Sequence, residues 1–305
     1  MTTYLVRRVL LMVPTMWAIA TLTFFLVRLA PGGPFLAEKD IPAPIVAQLE
    51  RKYGLDRPLG EQYVRFLANA ARFDFGPSYR FPARPVREII LEGLPVSAEL
   101  GGWALLLALL LGVPLGVVAA TRHNTAADHA AMGLALAGVS VPGFVLGPAL
   151  VLLFSLTLFW FPPALWQGPG SRVLPVVTLA TSYTAYIARL TRGGMLEVLR
   201  QDFVRTARAK GLPERAVVGK HALKVGVLPV VSYLGPAAAG IVMGSIAVET
   251  IFGIPGTGRY LVNAAFNRDY TLVMGVVLFY AVLLMAFNLL VDVAYTWLDP
   301  RVELG

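Results

Sequence analysis

An all-α fold that crosses a membrane six times is what this sequence predicts, and three observations predict it. The 305 residues are 57% apolar and only 14% charged, with a mean hydropathy of +0.68; a soluble domain is about 45–50% apolar and about 25% charged. Charge-free apolar runs of roughly 20 residues, the length that spans a bilayer, recur along the chain. The Lys and Arg of the short connections fall almost entirely on one side of those runs. The same composition excludes disorder and collagen. The lack of Cys excludes a disulfide scaffold and a thiolate metal or redox centre. In a membrane chain the net charge of +8 is an orientation signal rather than a nucleic-acid patch.

The elements follow in order. Val9–Val27 carries no charge and is span 1. Arg7-Arg8 before it suggests an export signal, but the apolar run outlasts a typical signal core. No small-x-small cleavage site precedes Ala30-Pro31 either, so the segment is a signal anchor. Residues 31–93 form an exported loop with nine basic and eight acidic residues. In it Ile45, Val46, Leu49 and Tyr53 space as one amphipathic helix. Tyr63, Phe66, Leu67 and Ala70 space as a second, with Pro58 near its start. The pair is either a folded cap or a docking surface for an extracytoplasmic partner.

Residues 94–299 then form one membrane domain. Leu100–Thr121, between Glu99 and Arg122, is span 2. Ala130–Ser171 is uncharged but too long for one helix. Pro142-Gly143 and Pro162-Pro163 divide it, leaving Met132–Val141 as a surface helix or run-in and Phe144–Phe161 as span 3. Val173–Ala188 is a short, Tyr-bearing span 4. Val225–Val248 is span 5 and Tyr270–Val291 is span 6. Pro114, Pro229 and Pro236 are tolerable within spans because neighbouring helices re-satisfy the freed groups.

An even number of spans puts both termini on one side. That side holds Arg7, Arg8, Arg122, Arg301 and the nine basic residues from Arg189 to Lys224; the other holds Arg172, Arg259 and Arg268, apart from Arg28 at the end of span 1 and the long loop. The termini and the 189–225 loop are therefore expected in the cytoplasm.

Several chemistries are disfavoured. The three histidines, His123, His129 and His221, lie in cytoplasmic loops, which argues against a metal path, a His proton relay or an intramembrane Ser hydrolase. Gly253-Ile-Pro-Gly-Thr-Gly-Arg-Tyr260 nearly matches a phosphate-binding loop. However, Arg259 replaces its Lys and Tyr260 its Ser or Thr, so it reads as a turn leaving span 5.

The informative segment is Met195 to Arg215. Met195, Leu196, Leu199 and Phe203 recur at helical spacing, followed by Thr206, Ala207 and Lys210. Gly211 suits the end of that helix and Pro213 stops it from restarting. A short basic helix with a small-residue face is the expectation. On physical grounds it either receives another protein or lies on anionic lipid.

Phe203-Val-Arg-Thr-Ala-Arg-Ala-Lys-Gly-Leu212, then Lys220-His-Ala-Leu-Lys224 and Leu228-Pro229, resembles the EAA loop of binding-protein-dependent ABC importer permeases, peptide branch. Further stretches resemble the B-type subunit of oligopeptide permeases. They are Arg7-Arg-Val-Leu10, Ala30-Pro-Gly-Gly-Pro34, Lys52-Tyr-Gly-Leu-Asp-Arg-Pro58, Asp74-Phe-Gly-Pro-Ser78, Arg192-Gly-Gly-Met-Leu-Glu-Val-Leu199, Glu249-Thr-Ile-Phe-Gly-Ile-Pro-Gly256 and Asn267-Arg-Asp-Tyr270. Arg205 and Thr206 stand where the general EAA pattern has Glu and Ala, and the Gly211–Pro229 stretch is longer than in that pattern.

The resemblance implies a type I ABC importer permease fold in a bacterial inner membrane, with no enzymatic activity and no cofactor bound by this chain. It implies a second, homologous permease, two cytoplasmic ATPase subunits carrying ATP and Mg, and an extracytoplasmic peptide-binding protein. Arg205, Thr206, Ala207, Arg208, Lys210, Gly211 and Leu212 would form the coupling segment. The alternatives are a dipeptide or nickel-chelate importer of the same branch and, in a different class, a self-contained channel or ion-coupled carrier.

Glu99, Arg189, Glu249 and Asp292 flank or enter spans; Glu99, Glu249 and Asp292 are candidates for translocation or gating, or else structural charges near span ends. The glycines of span 2 (Gly101, Gly102, Gly112, Gly116) and span 5 (Gly235, Gly240, Gly244) suit close helix packing.

Overall fold

A computed structural model describes residues 2–29, 33–35, 42–81 and 84–298, with side chains described except at 2–5, 43, 242–244 and 294–298. Most of Ala30–Pro34, together with Arg301, thus lies outside the described residues. Thirteen helices occur among them. Helix α1 covers Thr2–Leu29, α2 Ala43–Tyr53, α3 Leu59–Ala70, α4 Val86–Thr121, α5 Ala126–Ser140 and α6 Gly143–Leu150; α7 covers Gly170–Val198, α8 Asp202–Ala209, α9 Glu214–Ala216, α10 Leu223–Gly226, α11 Leu228–Ile251, α12 Thr257–Phe266 and α13 Tyr270–Leu298. No strand lies among the described residues. Four helices are long and apolar enough to cross a membrane, and six spans result if each of two bent pairs counts as one.

The differences from the expected spans have local causes. Span 2 belongs to a 36-residue helix that starts at Val86, well before Leu100. At 1.5 Å per residue it is about 54 Å long and exceeds the ~30 Å hydrocarbon core. Span 3 differs from Phe144–Phe161: α6 has 8 residues and passes into a 7-residue π-helical stretch, Val151–Thr157. This half passes as a span only together with α5, which contains most of the Met132–Val141 stretch expected as a surface helix or run-in. Pro142 does break the chain, and α5 meets α6 at 99°. Span 4 is longer than expected, since α7 runs without interruption to Val198. Span 5 begins at Leu228, where α10 and α11 meet at 49°. Pro229 sits in the first turn of α11, where its missing N–H costs no helical bond.

The chain packs as two compact units, one of residues 1–97 and 255–286, the other of 98–254 and 287–303. In the first unit, α2 and α3 form where the apolar spacing places them, each preceded by a proline. Helix α3 lies on α1: Phe66 stacks on Phe24 with centroids 5.5 Å apart, and the Tyr63 hydroxyl is 2.7 Å from Thr21 Oγ1. The centre of this unit is the buried carboxylate of Asp269, the cap of α13. Its Oδ1 accepts the Leu272 N–H at 3.2 Å, three residues into the helix. The same carboxylate accepts the Tyr79 N–H at 3.1 Å, the Arg80 N–H at 3.2 Å and the Ser78 hydroxyl. Ser78 and Asp269 thereby join the Asp74–Ser78 and Asn267–Tyr270 stretches. Beside them, Gly275 leaves room for Val86 and Phe75, since a Cβ there would lie 2.5 Å from Val86 Cγ1.

In the second unit, small residues let helices approach. A Cβ on Gly112 would meet Ile187 and the Thr184 carbonyl, and one on Gly116 would lie 2.5 Å from the Ala188 carbonyl oxygen. Gly235 faces Val291 and Asn288, and Gly240 faces the Tyr183 hydroxyl. Gly102 faces open space instead, and the surroundings of Gly244 are outside the described ones. Helix α5 packs Ala135 on Ala185 and Ala188. It is pinned to α7 by Arg192, whose Nε and Nη2 each donate to the buried Asp128 carboxylate at 2.8 Å.

Replacing Asp269 with Ala orphans buried donors at a cost of about 1–3 kcal/mol for each one left unsatisfied. Asp269→Ala is expected to lower the thermal midpoint of the detergent-solubilised protein clearly, and Ser78→Ala to lower it by less. Equal midpoints for Asp269→Ala and the parent would refute this account.

Candidate functional site

The segment around Gly211 is built in three steps. Helix α7 ends at Val198 and is capped by Leu199, whose N–H reaches the Met195 carbonyl at 2.9 Å. Gln201 then takes an extended conformation (ψ 154°), and α8 starts at Asp202. The single helix expected from Met195 to Lys210 is therefore two helices. The periodicity was preserved across the break because Leu199 and Phe203 keep a helical interval although the backbone between them does not. Helix α8 ends in a left-handed residue, Gly211, with φ +77°. The Gly211 N–H donates to the Arg208 carbonyl at 2.9 Å, and the Leu212 N–H to the Ala207 carbonyl at 3.4 Å. Glycine is required here by its φ and not by crowding, because a Cβ would meet nothing within 4 Å.

Pro213 does not prevent a restart. It precedes α9, and its carbonyl accepts the Ala216 and Val217 N–H groups at 2.8 and 3.1 Å. A π-helical stretch, Val217–Ala222, and α10 follow. The expected 189–225 loop is almost wholly helical.

Two faces of α8 are distinct. Val204 and Ala207 are buried with Met195, Val198, Ala120, Val217 and Ala222. Ala207, expected on the outer surface, faces the chain's own core. Arg205, Thr206, Arg208, Lys210, Gly211 and Leu212 are exposed, as is Phe203. The Thr206 hydroxyl donates to the Asp202 carbonyl at 2.9 Å, and Arg205 lies 3.6 Å from the Asp202 carboxylate. Arg208 spans the Gly211 turn with two bonds to Glu214, at 2.6 and 3.1 Å. The Glu214 hydrogen bond raises the Arg208 pKa above its ordinary value. Glu214 is the residue that the sequence reading missed here; an acidic residue just past the Gly-x-Pro turn was its only signal.

The other candidates sit apart from this segment. Glu99 accepts Arg172 Nε at 2.6 Å and the Trp166 indole N–H at 3.1 Å, and Arg172 lies 5.0 Å over the Trp166 ring. Arg189 lies 4.7 Å over Tyr186, which stacks on Tyr233. Glu249 is fully buried and accepts the Ser245 hydroxyl at 2.6 Å, while its backbone carbonyl takes the Ile254 N–H at 2.8 Å. Asp292 is half-buried on α13. Among the described residues no group of three or more His, Asp or Glu side chains is placed to hold a metal ion.

Gly253-Ile-Pro-Gly256 is indeed a turn. Gly253 is left-handed (φ +64°) and ends α11, and Gly256 opens α12. The Thr257 N–H at the start of α12 donates to Ser97 Oγ at 2.9 Å, and the Thr257 hydroxyl lies 2.9 Å from that of Tyr280. Gly93 permits this, because a Cβ on it would come within 2.9 Å of the Thr257 nitrogen.

Comparison with known proteins agrees with this architecture. Residues 112–304 match the family described as binding-protein-dependent transport system inner membrane component. Residues 1–100 match the corresponding N-terminal family. The chain is 46% identical to the oligopeptide transport system permease protein OppB of Salmonella typhimurium over 98% of its own length and 99% of the relative's. It is 44% identical to the dipeptide transport system permease protein DppB of Bacillus subtilis over 100% and 99%. In fold it is similar to a chain of the inward-facing MetNI methionine ABC transporter, with a TM-score of 0.56 at 16% identity over 69% of this chain and 96% of that one. Two matched families across the chain, full-length relatives and the helical architecture lead to one conclusion: this chain belongs to the inner-membrane permease family of binding-protein-dependent ABC transport systems.

Proposed function

We propose that this chain is one of two permease subunits of an ATP-driven importer that moves oligopeptides into the cytoplasm. The observation that carries the proposal is the anchored, outward-facing α8–Gly211 segment. It is a short helix fixed to the end of a spanning helix by a buried apolar face, with an exposed basic face on the other side. Seated on a separate cytoplasmic ATPase, α8 would pass closure of the ATPase pair to α7 as rigid-body motion. Arg205, Thr206, Arg208, Lys210, Gly211 and Leu212 form the contacting set, and Ala207 is the inward anchor. This chain itself performs no bond chemistry; ATP and Mg belong to the partner subunits. An extracytoplasmic binding protein would deliver the peptide, and a homologous permease would form the other half of the path. Oligopeptide substrates are supported by the OppB relative. Dipeptides are the second reading, supported by the DppB relative at nearly the same identity.

The deciding experiment is uptake by vesicles holding the assembled complex, comparing labelled dipeptides with tri- to pentapeptides. ATP-dependent uptake of the longer set is expected. Uptake that followed an ion gradient without ATP would refute the importer reading.

Gly211→Val forces a β-branched residue to φ +77°, a strain of about 1–3 kcal/mol. That is enough to unwind the end of an eight-residue helix. The variant is expected to insert normally, yet lose both ATPase pull-down and uptake; wild-type levels of both would disprove the coupling role. Orientation has its own test, because the chain contains no Cys. A Thr125→Cys variant carries a single exposed thiol outside the contacting set, expected to react with an impermeant maleimide in inverted vesicles and not in right-side-out cells. The reverse pattern would overturn the assigned topology.

A further inference from the structure

The first unit contains a cavity of about 330 Å³ bordered by α1, α2, α3 and α13 and lined by Arg28, Arg51, Lys52, Arg57 and Arg65, with Asp74 as the one carboxylate among its described lining residues. Residues 31–93 are nearly neutral as a whole, so this is charge sorting rather than bulk charge. Arg57 and Arg65 share Glu61, at 2.6 and 3.0 Å. Arg28, Arg51 and Lys52 have no carboxylate within 4 Å among the described residues. Arg28 donates instead to the Gln62 side-chain oxygen at 3.1 Å and to the Phe24 carbonyl at 3.2 Å, with its guanidinium 3.6 Å over the Phe24 ring. Lys52 faces the Tyr53 ring at 5.6 Å. Only Arg28 is held rigidly; with the exposed Arg51 and Lys52 beside it, the cavity presents a positive rim that attracts an anion.

The position of the cavity selects the anion. Arg28 lies in the last turn of α1, and Met274 lies in the first turns of α13. Both lie near ends of helices long and apolar enough to span, which would put the cavity near the depth of lipid phosphates. Leu22, Leu26 and Leu29 on α1 are exposed, at 62, 64 and 76%. They lie on the face of α1 turned away from Phe24 and Arg28, where acyl chains would flank the helix whose end carries the basic site. We propose that this cavity binds the phosphate headgroup of an anionic phospholipid, which bridges α2 and α3 to the ends of α1 and α13. This proposal does not depend on the transported substrate.

The test uses the assembled transporter in nanodiscs of phosphatidylcholine with a minor fraction of phosphatidylglycerol, and native mass spectrometry counts the lipids retained. Wild type is expected to retain phosphatidylglycerol selectively. Arg51→Gln with Lys52→Gln alters only exposed side chains and is expected to cut that selectivity roughly fivefold per cation, whereas Arg51→Lys preserves it. Arg28→Gln should abolish retention, but it also removes the contacts to Phe24 and Gln62, so the double variant decides. Equal retention of the two lipids by wild type would overturn the proposal. So would unchanged selectivity in the double variant. Displacement of phosphatidylglycerol by millimolar inorganic phosphate would assign the site to free phosphate and overturn the lipid assignment.

Discussion

A chain that crosses hydrocarbon must satisfy its own backbone hydrogen bonds, because no water is present to do it. Helices meet that demand wherever they run without interruption, and the informative points of this structure are the places where they do not. Each has a substitute. At the start of α13 the Asp269 carboxylate takes helix and loop N–H groups together. At the start of α12 Ser97 takes the Thr257 N–H. At the ends of α8 and α11 left-handed glycines turn the chain so that its next N–H groups reach back to free carbonyls. The breaks are therefore defined joints with their polar groups accounted for, and such joints can stay fixed or rotate as units without exposing unpaired groups.

The forces that fix α8 and the turn after it can be ranked. The Arg208–Glu214 pair is bidentate but solvent-exposed, with side chains 42 and 58% accessible; exposed pairs contribute about 0–1 kcal/mol. Burying one Val side chain contributes about 1.5–3 kcal/mol, and Val204 is fully buried beside Ala207, Met195 and Val217. Packing therefore outweighs the ion pair. Arg208 shapes the turn after the helix, while Val204 and Ala207 decide whether α8 moves with α7. For the coupling proposed above the division would matter, because a load on the exposed face would pass through a dry apolar contact that compresses little.

What was legible in the sequence follows the same logic. Apolar runs and the pairs of proline and glycine that divide them are local signals, so the spans, the Pro142 break and helices α2 and α3 could be read directly. The break at Leu199–Gln201 could not, because Arg200, Gln201 and Asp202 are acceptable inside a helix and the apolar interval carries across. The inward direction of Ala207 was hidden for the same reason: once the helix is cut, its face is set by α8 alone. Least legible was the Ser78–Asp269 contact, whose partners are 191 residues apart in sequence. The two stretches were notable by resemblance only, and the structure supplies their physical reason. Glu99 was visible as an ionisable residue near a span end, but its pairing with Arg172 and Trp166 required the fold.

The distribution of charge carries the argument one step further. A transporter of varied peptides gains nothing from a fixed charge at a tight site, since each such charge would trap some sequences and repel others. The near-span carboxylates fit that constraint. Glu99 is occupied by an arginine and an indole, and Glu249 is buried where water does not reach it and holds Ser245. Both carboxylates are thus engaged by the chain's own side chains. Cations are instead gathered where a fixed anionic partner is of use. One group lies around Gly211, and the other lines the cavity beside Arg28. The net charge of +8 is in this sense concentrated in local surfaces, one in each compact unit.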